Sequence, residues 1–236
     1  MKSHVLNQLR RRKRRLLRRI ENRPATQRQQ PMIAAHNIHY ELGDRVQGLG
    51  PGGIGAMLLL ARRSGLIADI DHSLHLFQRH LPYHESDHVL NIALNLLAGG
   101  TRLEHLRRLR TNEAYLNALD ARRIPDPSTA GDFCRRFRRG DVLDLMDAFN
   151  RTRKRVWAQQ PGAFFNQAVL DVDGTLVATD AECKKGVDIA YDGTWGYHPL
   201  LISLANTAEP LYLVNRSGNR PSHELAASFI NRALLL

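Results

Sequence analysis

Ala168-Val169-Leu170-Asp171-Val172-Asp173-Gly174-Thr175-Leu176 decides how this chain is read. An apolar run of strand length leads into two carboxylates one residue apart, and Gly-Thr then lets the backbone turn away. Side chains alternate along a strand, so Asp171 and Asp173 share one face. Carboxylate oxygens gathered at a strand end suit a hard divalent cation, Mg²⁺ or Mn²⁺. Such ions serve phosphoryl chemistry by clamping the attacking and leaving oxygens. The plainer alternative is a strand-end Asp that caps a turn.

Taken alone, the motif resembles the opening of a haloacid-dehalogenase-type phosphatase, Asp-x-Asp-Gly-Thr, whose first Asp is the nucleophile. That family needs a long α/β domain afterwards, with a later Ser or Thr, a Lys and a further acidic pair. The residues from Thr175 to Leu236 offer no second acidic pair at a strand end. Instead they carry Tyr191-Asp192-Gly193-Thr194-Trp195-Gly196-Tyr197-His198-Pro199-Leu200 and then Arg216-Ser217-Gly218-Asn219.

In these signatures the chain resembles the DDE-type insertion-sequence transposases, most closely the group numbered thirteen-eighty. The shared features are Asp-Val-Asp-x-Thr, a Trp-Gly-Tyr-x-Pro-Leu strand, and an Arg-x-Gly-Asn turn leading into a helix. The resemblance is strong over about residues 168 to 231 and weaker back to about residue 51. It implies a ribonuclease-H-like domain, two Mg²⁺ ions, and DNA cleavage and strand transfer without a covalent protein–DNA intermediate. It puts the first metal-binding carboxylate at Asp173, with Asp171 either a second ligand or a hydrogen-bond partner. It also brings Arg216 and Asn219 near the catalytic face, and implies a prokaryotic, cytoplasmic, nucleoid-associated protein that oligomerises on transposon ends.

Composition agrees with a polyanionic partner. Lys and Arg number 34 against 23 Asp and Glu, a formal charge of +11, which favours duplex DNA. Cys134 and Cys183 lack disulfide-framework or CxxC spacing, so a reducing compartment is the default. The longest apolar run, residues 54–61, is far shorter than the ~20 residues of a membrane span, so no membrane partner is expected.

Along the chain, residues 1–30 read as a basic arm, disordered or a frayed helix until it meets phosphate. Arg10, Arg11, Arg12, Lys13, Arg14, Arg15, Arg18 and Arg19 supply its charge. Residues 31–53 read as a linker ending in Gly50-Pro51-Gly52-Gly53. Residues 54–160 read as a helical region that binds DNA or organises the complex. Within it, Ser86 is expected to cap one helix, Thr101-x-x-Glu104 is a capping-box signature for the next, and Ser128 or Thr129 caps a third. After Pro161-Gly162 the period changes to that of strands, at about 166–172, 197–205 and 211–215, followed by a helix from Glu224. The fold class is therefore α+β: a helical N-terminal region, then an incomplete ribonuclease-H-like β-β-β-α segment over 161–236.

Three further constellations carry alternatives. His84-Glu85-Ser86-Asp87-His88 has the letters of a zinc-protease motif, which works only inside one continuous helix. Pro82 and a capping Ser86 place His84 ahead of the helix, so these read as polar residues at a helix entrance. Pro125 to Arg139 and the helix before it resemble a helix-turn-helix, though a turn with two prolines is unusual there. Its Arg135, Arg136, Arg138 and Arg139 either pack or meet DNA phosphate. Trp195 and Tyr197 either stack on a base or pack the core. Because three separated acids make a DDE site and only the first is found here, the chain is expected to bind DNA without cleaving it. An exposed sheet edge and apolar face are also expected. A non-catalytic DNA-binding remnant that represses transposition is the alternative outside enzymes.

Overall fold

The computed structural model describes residues 7, 10–15, 17–18, 31–33 and 50–236. The chain divides into two units between Asp141 and Val142. Helices dominate the first, and the second combines antiparallel sheet with helix, which makes the class α+β.

The first unit holds α1 (Ile54–Arg63), α2 (Leu66–Ser73), α3 (Glu85–Leu97), α4 (Leu106–Leu109), α5 (Glu113–Ala118) and α6 (Pro127–Arg136). Ile54, Leu58, Leu90, Leu94, Leu106, Leu119 and Ile124 form its core. Each such side chain, fully buried, contributes about 1.5–3 kcal/mol. Ile33 belongs to the same core, so the start of the expected linker is a packed part of this unit. Residues 34–49 of that linker lie outside the described residues.

Polar capping differs from the expected scheme in three places, each for a local reason. His84, not Ser86, is the N-cap of α3, and Asp87 accepts from the His84 backbone N–H at 2.9 Å. Ser86 lies inside the helix, where its N–H and hydroxyl both reach the Asp71 carboxylate at 2.9 Å. Thr101 caps nothing: a 3₁₀ turn, Leu103–His105, follows Arg102, and the Thr101 N–H goes to His105 Nδ1. At α6 the cap is Asp126, whose Oδ1 accepts from Thr129 N–H at 2.8 Å, with Pro127 at the first helical position. Pro there forfeits no hydrogen bond, because that N–H has no intrahelical partner.

The second unit begins in α7 (Arg139–Trp157), a helix that reading by sequence assigns to the N-terminal region. From Val142 onward it belongs with the sheet instead. Its strands are β1 (Leu170–Gly174), β2 (Val177–Ala178), β3 (Asp188–Ile189), β4 (Trp195–Tyr197), β5 (Leu200–Leu204) and β6 (Glu209–Val214), followed by α8 (Ala226–Leu234). β1-β5-β6 form one antiparallel sheet and β2-β4-β3 a second. The expected single strand over 197–205 is two strands in two sheets, broken at His198-Pro199, since Pro lacks an N–H for a ladder.

Leu200, Ile202, Leu204, Leu211 and Tyr212 pack with Phe229 and Ala233 of α8, and Leu143 and Met146 of α7 join them. α7 also closes the outer edge of β6. Asn150 Nδ2 donates to Leu211 O at 3.2 Å and Arg153 Nη2 to Pro210 O at 2.7 Å. The Trp157 indole N–H reaches Glu209 at 3.0 Å. Covering an edge in this way blocks strand addition there. α8 starts after Leu225, two residues later than the helix expected from Glu224, and Leu225 takes a left-handed φ of 65°.

Candidate functional site

β1 alternates as its sequence requires. Leu170 and Val172 turn to the sheet core, while Asp171 and Asp173 stand exposed on the opposite face. That face is otherwise made by their register partners Ser203 and Leu201, and by Leu213 beside Leu201. Asp173 Oδ1 accepts from the Gly174 N–H at 2.7 Å. One carboxylate oxygen of Asp173, and both of Asp171, have no such tie among the hydrogen bonds of the described residues.

Two exposed carboxylates on adjacent same-face positions fit the donor chemistry of Mg²⁺, which typically takes one or two carboxylates and completes its shell with water or phosphate. Among the described residues no group of three or more His, Cys, Asp or Glu could hold a metal ion. The pair therefore offers an open, two-ligand arrangement rather than a protein cage.

Arg216 lies elsewhere than expected. It is 6% exposed, and its guanidinium is wired to backbone carbonyls. Nε donates to His198 O at 2.9 Å, and Nη1 approaches Pro221 O, Ser222 O and Glu224 O at 3.0, 3.1 and 2.7 Å. Burial lowers its pKa, which the nearby Glu224 opposes. A DNA contact through this side chain is thus contradicted by its burial. Asn219, in the same turn, is exposed. Gly218 has no room for a side chain: an added Cβ would strike Asp188 O and come within 2.7 Å of Gly196 O. The Arg-x-Gly-Asn turn is therefore clamped to the small sheet. Trp195 and Tyr197 serve the same sheet, donating to Ala181 O at 3.4 Å and Lys185 O at 3.0 Å.

The basic residues at the end of α6 and just after it lie on the surface. Arg135, Arg136, Arg138 and Arg139 are all exposed. Arg135 pairs with Asp132 on its own helix, and the Arg136 guanidinium sits 5.1 Å from the Phe77 ring centroid. In the arm, residues 10–15 and 17–18 are helical, and Arg10, Arg11, Arg12, Lys13, Arg14, Arg15 and Arg18 are exposed. Arg19 lies outside the described residues. A further basic group is not singled out by the sequence reading. Arg102, Arg107, Arg108 and Arg110 are exposed around the single buried anchor Leu106. Arg110 reaches Asp126, the cap of α6, at 4.0 Å. The signal was present as Arg107-Arg108-x-Arg110.

The zinc-protease letters resolve into scaffolding. Glu85 spends Oε1 on the Leu76 and Phe77 N–H groups at 2.9 and 3.0 Å, and Oε2 on His80 at 2.9 Å. Asp87 accepts from Met32, Ile33 and His84 N–H at 2.8, 2.7 and 2.9 Å. Burial raises the pKa of Asp87 and of Asp71 despite those donors. His88 is caged by aromatic rings, stacked on Phe133 at 4.5 Å with Phe77 at 5.3 Å and Tyr83 at 5.6 Å. Burial pushes its pKa down to about 4, so the ring is neutral at pH 7.

No family model, no curated protein and no solved structure matches this chain. Among the described residues no helix is long and apolar enough to cross a membrane.

Proposed function

We propose that this chain carries the DNA-binding region and the opening of the catalytic domain of a DDE-type transposase. The observation that carries this reading is the Asp171–Asp173 pair. It stands exposed on the first strand of an antiparallel sheet whose other face is packed by α8. The order of that sheet, three antiparallel strands and then a helix, is what a ribonuclease-H-like opening requires. Asp173 is the first metal-binding carboxylate and Asp171 assists it. A divalent cation held there supplies activation of an attacking oxygen and stabilisation of a leaving one at a phosphodiester. The protein's own contribution is to hold the two carboxylates on a rigid strand and to bring duplex DNA to them.

Binding falls to the arginines. The exposed sets on residues 10–18, 102–110 and 135–139 neutralise phosphates without reading sequence. Duplex binding by these exposed arginines is the activity that this reading assigns to the described residues. A phosphatase of the haloacid-dehalogenase type is disfavoured by the sheet, because an α/β domain puts its nucleophile strand in a parallel sheet, whereas β1 pairs antiparallel with β5.

The test is duplex binding by the full chain as a function of salt. Each phosphate neutralised adds ~0.9 to the slope of log K against log salt. Replacing Arg107, Arg108 and Arg110 together by Ala should lower the slope by about 2–3. Deleting residues 1–30 should lower it as well. Slopes unmoved by both changes would reject duplex binding by these surfaces.

A further inference from the structure

Gly174, one residue beyond Asp173, faces the side of the sheet opposite Asp173, because strand side chains alternate. The space where its Cβ would stand is already filled: His198 Nε2 would lie 2.5 Å away and Arg216 Nη2 3.0 Å away. Both side chains are buried. His198 Nδ1 lies 2.8 Å from Arg220 O. A carbonyl only accepts, so Nδ1 carries a proton, and Nε2 is the ring nitrogen that faces Gly174. Arg216 Nη2 is buried without a hydrogen-bond partner, while Nε and Nη1 bind the four carbonyls described above.

The backbone is tied in step. The His198 N–H donates to Arg216 O at 3.0 Å, and the Thr175 N–H donates to Pro199 O at 3.0 Å. Arg216 therefore joins the β4–β5 turn, the turn before α8, and the end of β1. Gly174 in turn fixes Asp173, since its N–H is the donor to Asp173 Oδ1 at 2.7 Å.

We infer that Arg216, with His198, is a positioning residue: it buttresses Gly174 from the packed face and so aims the Asp173 carboxylate on the open face. This rests on the proposed cation-binding role of Asp173 and assigns Arg216 no contact with DNA. It explains why a residue with five donors is spent on backbone carbonyls. It also explains the Gly after Asp173 by the lack of space beneath it rather than by turn geometry.

The experiment uses the full-length chain and Mn²⁺ as probe, with binding followed by electron paramagnetic resonance. Arg216→Gln and Gly174→Ala disturb the same contact from opposite sides. Each should weaken Mn²⁺ binding about tenfold, the usual cost of removing a group that orients a ligand, with circular dichroism unchanged. Arg216→Gln should leave the salt slope of duplex binding unmoved. A folded Arg216→Gln protein with wild-type Mn²⁺ affinity, or a slope reduced by ~0.9 as for a lost phosphate contact, would overturn the inference. If Arg216→Gln does not fold, Gly174→Ala decides by the same affinity criterion. Wild-type protein that binds Mn²⁺ no better than Asp173→Asn refutes the cation reading itself, an outcome distinct from the failure of Arg216 alone.

Discussion

Replacing His88 by Phe should remove an acid sensitivity built into the helical unit. The ring is 2% exposed and lies between Phe133 and Phe77 at 4.5 and 5.3 Å. Its Nδ1 is buried without a partner. Folding lowers its pKa from 6.5 to about 4. Between those values the unfolded chain binds a proton that the folded chain refuses, so stability rises with pH across that window. The contribution is complete above pH 6.5 and is lost as pH falls toward 4. At ~1.4 kcal/mol per tenfold, the change amounts to about 3 kcal/mol. Phe keeps the stack and removes both the titration and the orphaned nitrogen. Urea unfolding of both proteins, followed by far-ultraviolet circular dichroism, measures it, while Trp157 and Trp195 fluorescence reports the other unit separately. Asp71 and Asp87, whose folded pKa values are raised, act in the opposite sense but are common to both proteins and cancel in the difference. The wild-type minus His88→Phe difference should therefore fall by about 3 kcal/mol from pH 7 to pH 4. A difference that stays flat over that range would refute the reasoning.

Asp126→Ala removes the cap of α6 and should cost about 1 kcal/mol at pH 7, measurable in the same urea titration. Its pKa is lowered to about 2, chiefly by the Thr129 N–H and then the Ser128 hydroxyl, so the cap acts above the ordinary carboxylate value of 3.8 and fades as pH falls through about 2. An unchanged unfolding midpoint at pH 7 would show that Pro127 and Ser128 suffice. Gly218→Ala forces a methyl against the carbonyls of Asp188 and Gly196 and should destabilise the second unit by about 1–3 kcal/mol. Trp fluorescence during thermal unfolding checks it, and an unshifted midpoint would mean that the turn can move aside.

The strand bearing Asp171 and Asp173 was legible because alternation and an abrupt turn are local signals. Most helices were legible for the same reason, but α2 was not, since its eight residues between Gly65 and Leu74 carry too short an apolar pattern. Caps were misread wherever a distant group competed: Asp71, from another helix, takes both donors of Ser86, which makes a capping role for that serine impossible. The small sheet β2-β4-β3 was invisible, because strands of two or three residues are held by long-range pairing and by the Gly218 contact rather than by propensity. Arg216 is expected at the catalytic face because the resemblance puts its Arg-x-Gly-Asn turn there. Only the folded chain shows that the carbonyls of residues 198 and 221–224 converge on it. Glu85 and Asp87, whose motif letters read as a polar helix entrance, have their oxygens taken by backbone N–H groups and by His80.

The central claim is that Asp173 is a metal-binding carboxylate on a DNA-binding protein. It is tested most directly by titrating Mn²⁺ into the full chain saturated with duplex DNA, wild type beside Asp173→Asn. The substitution keeps the shape of the side chain and removes the charge that holds the ion. The account predicts that duplex affinity and its salt slope are the same for both proteins, whereas Mn²⁺ binding is lost in Asp173→Asn. Equal Mn²⁺ affinity in the two proteins, or no duplex binding by either, would contradict it.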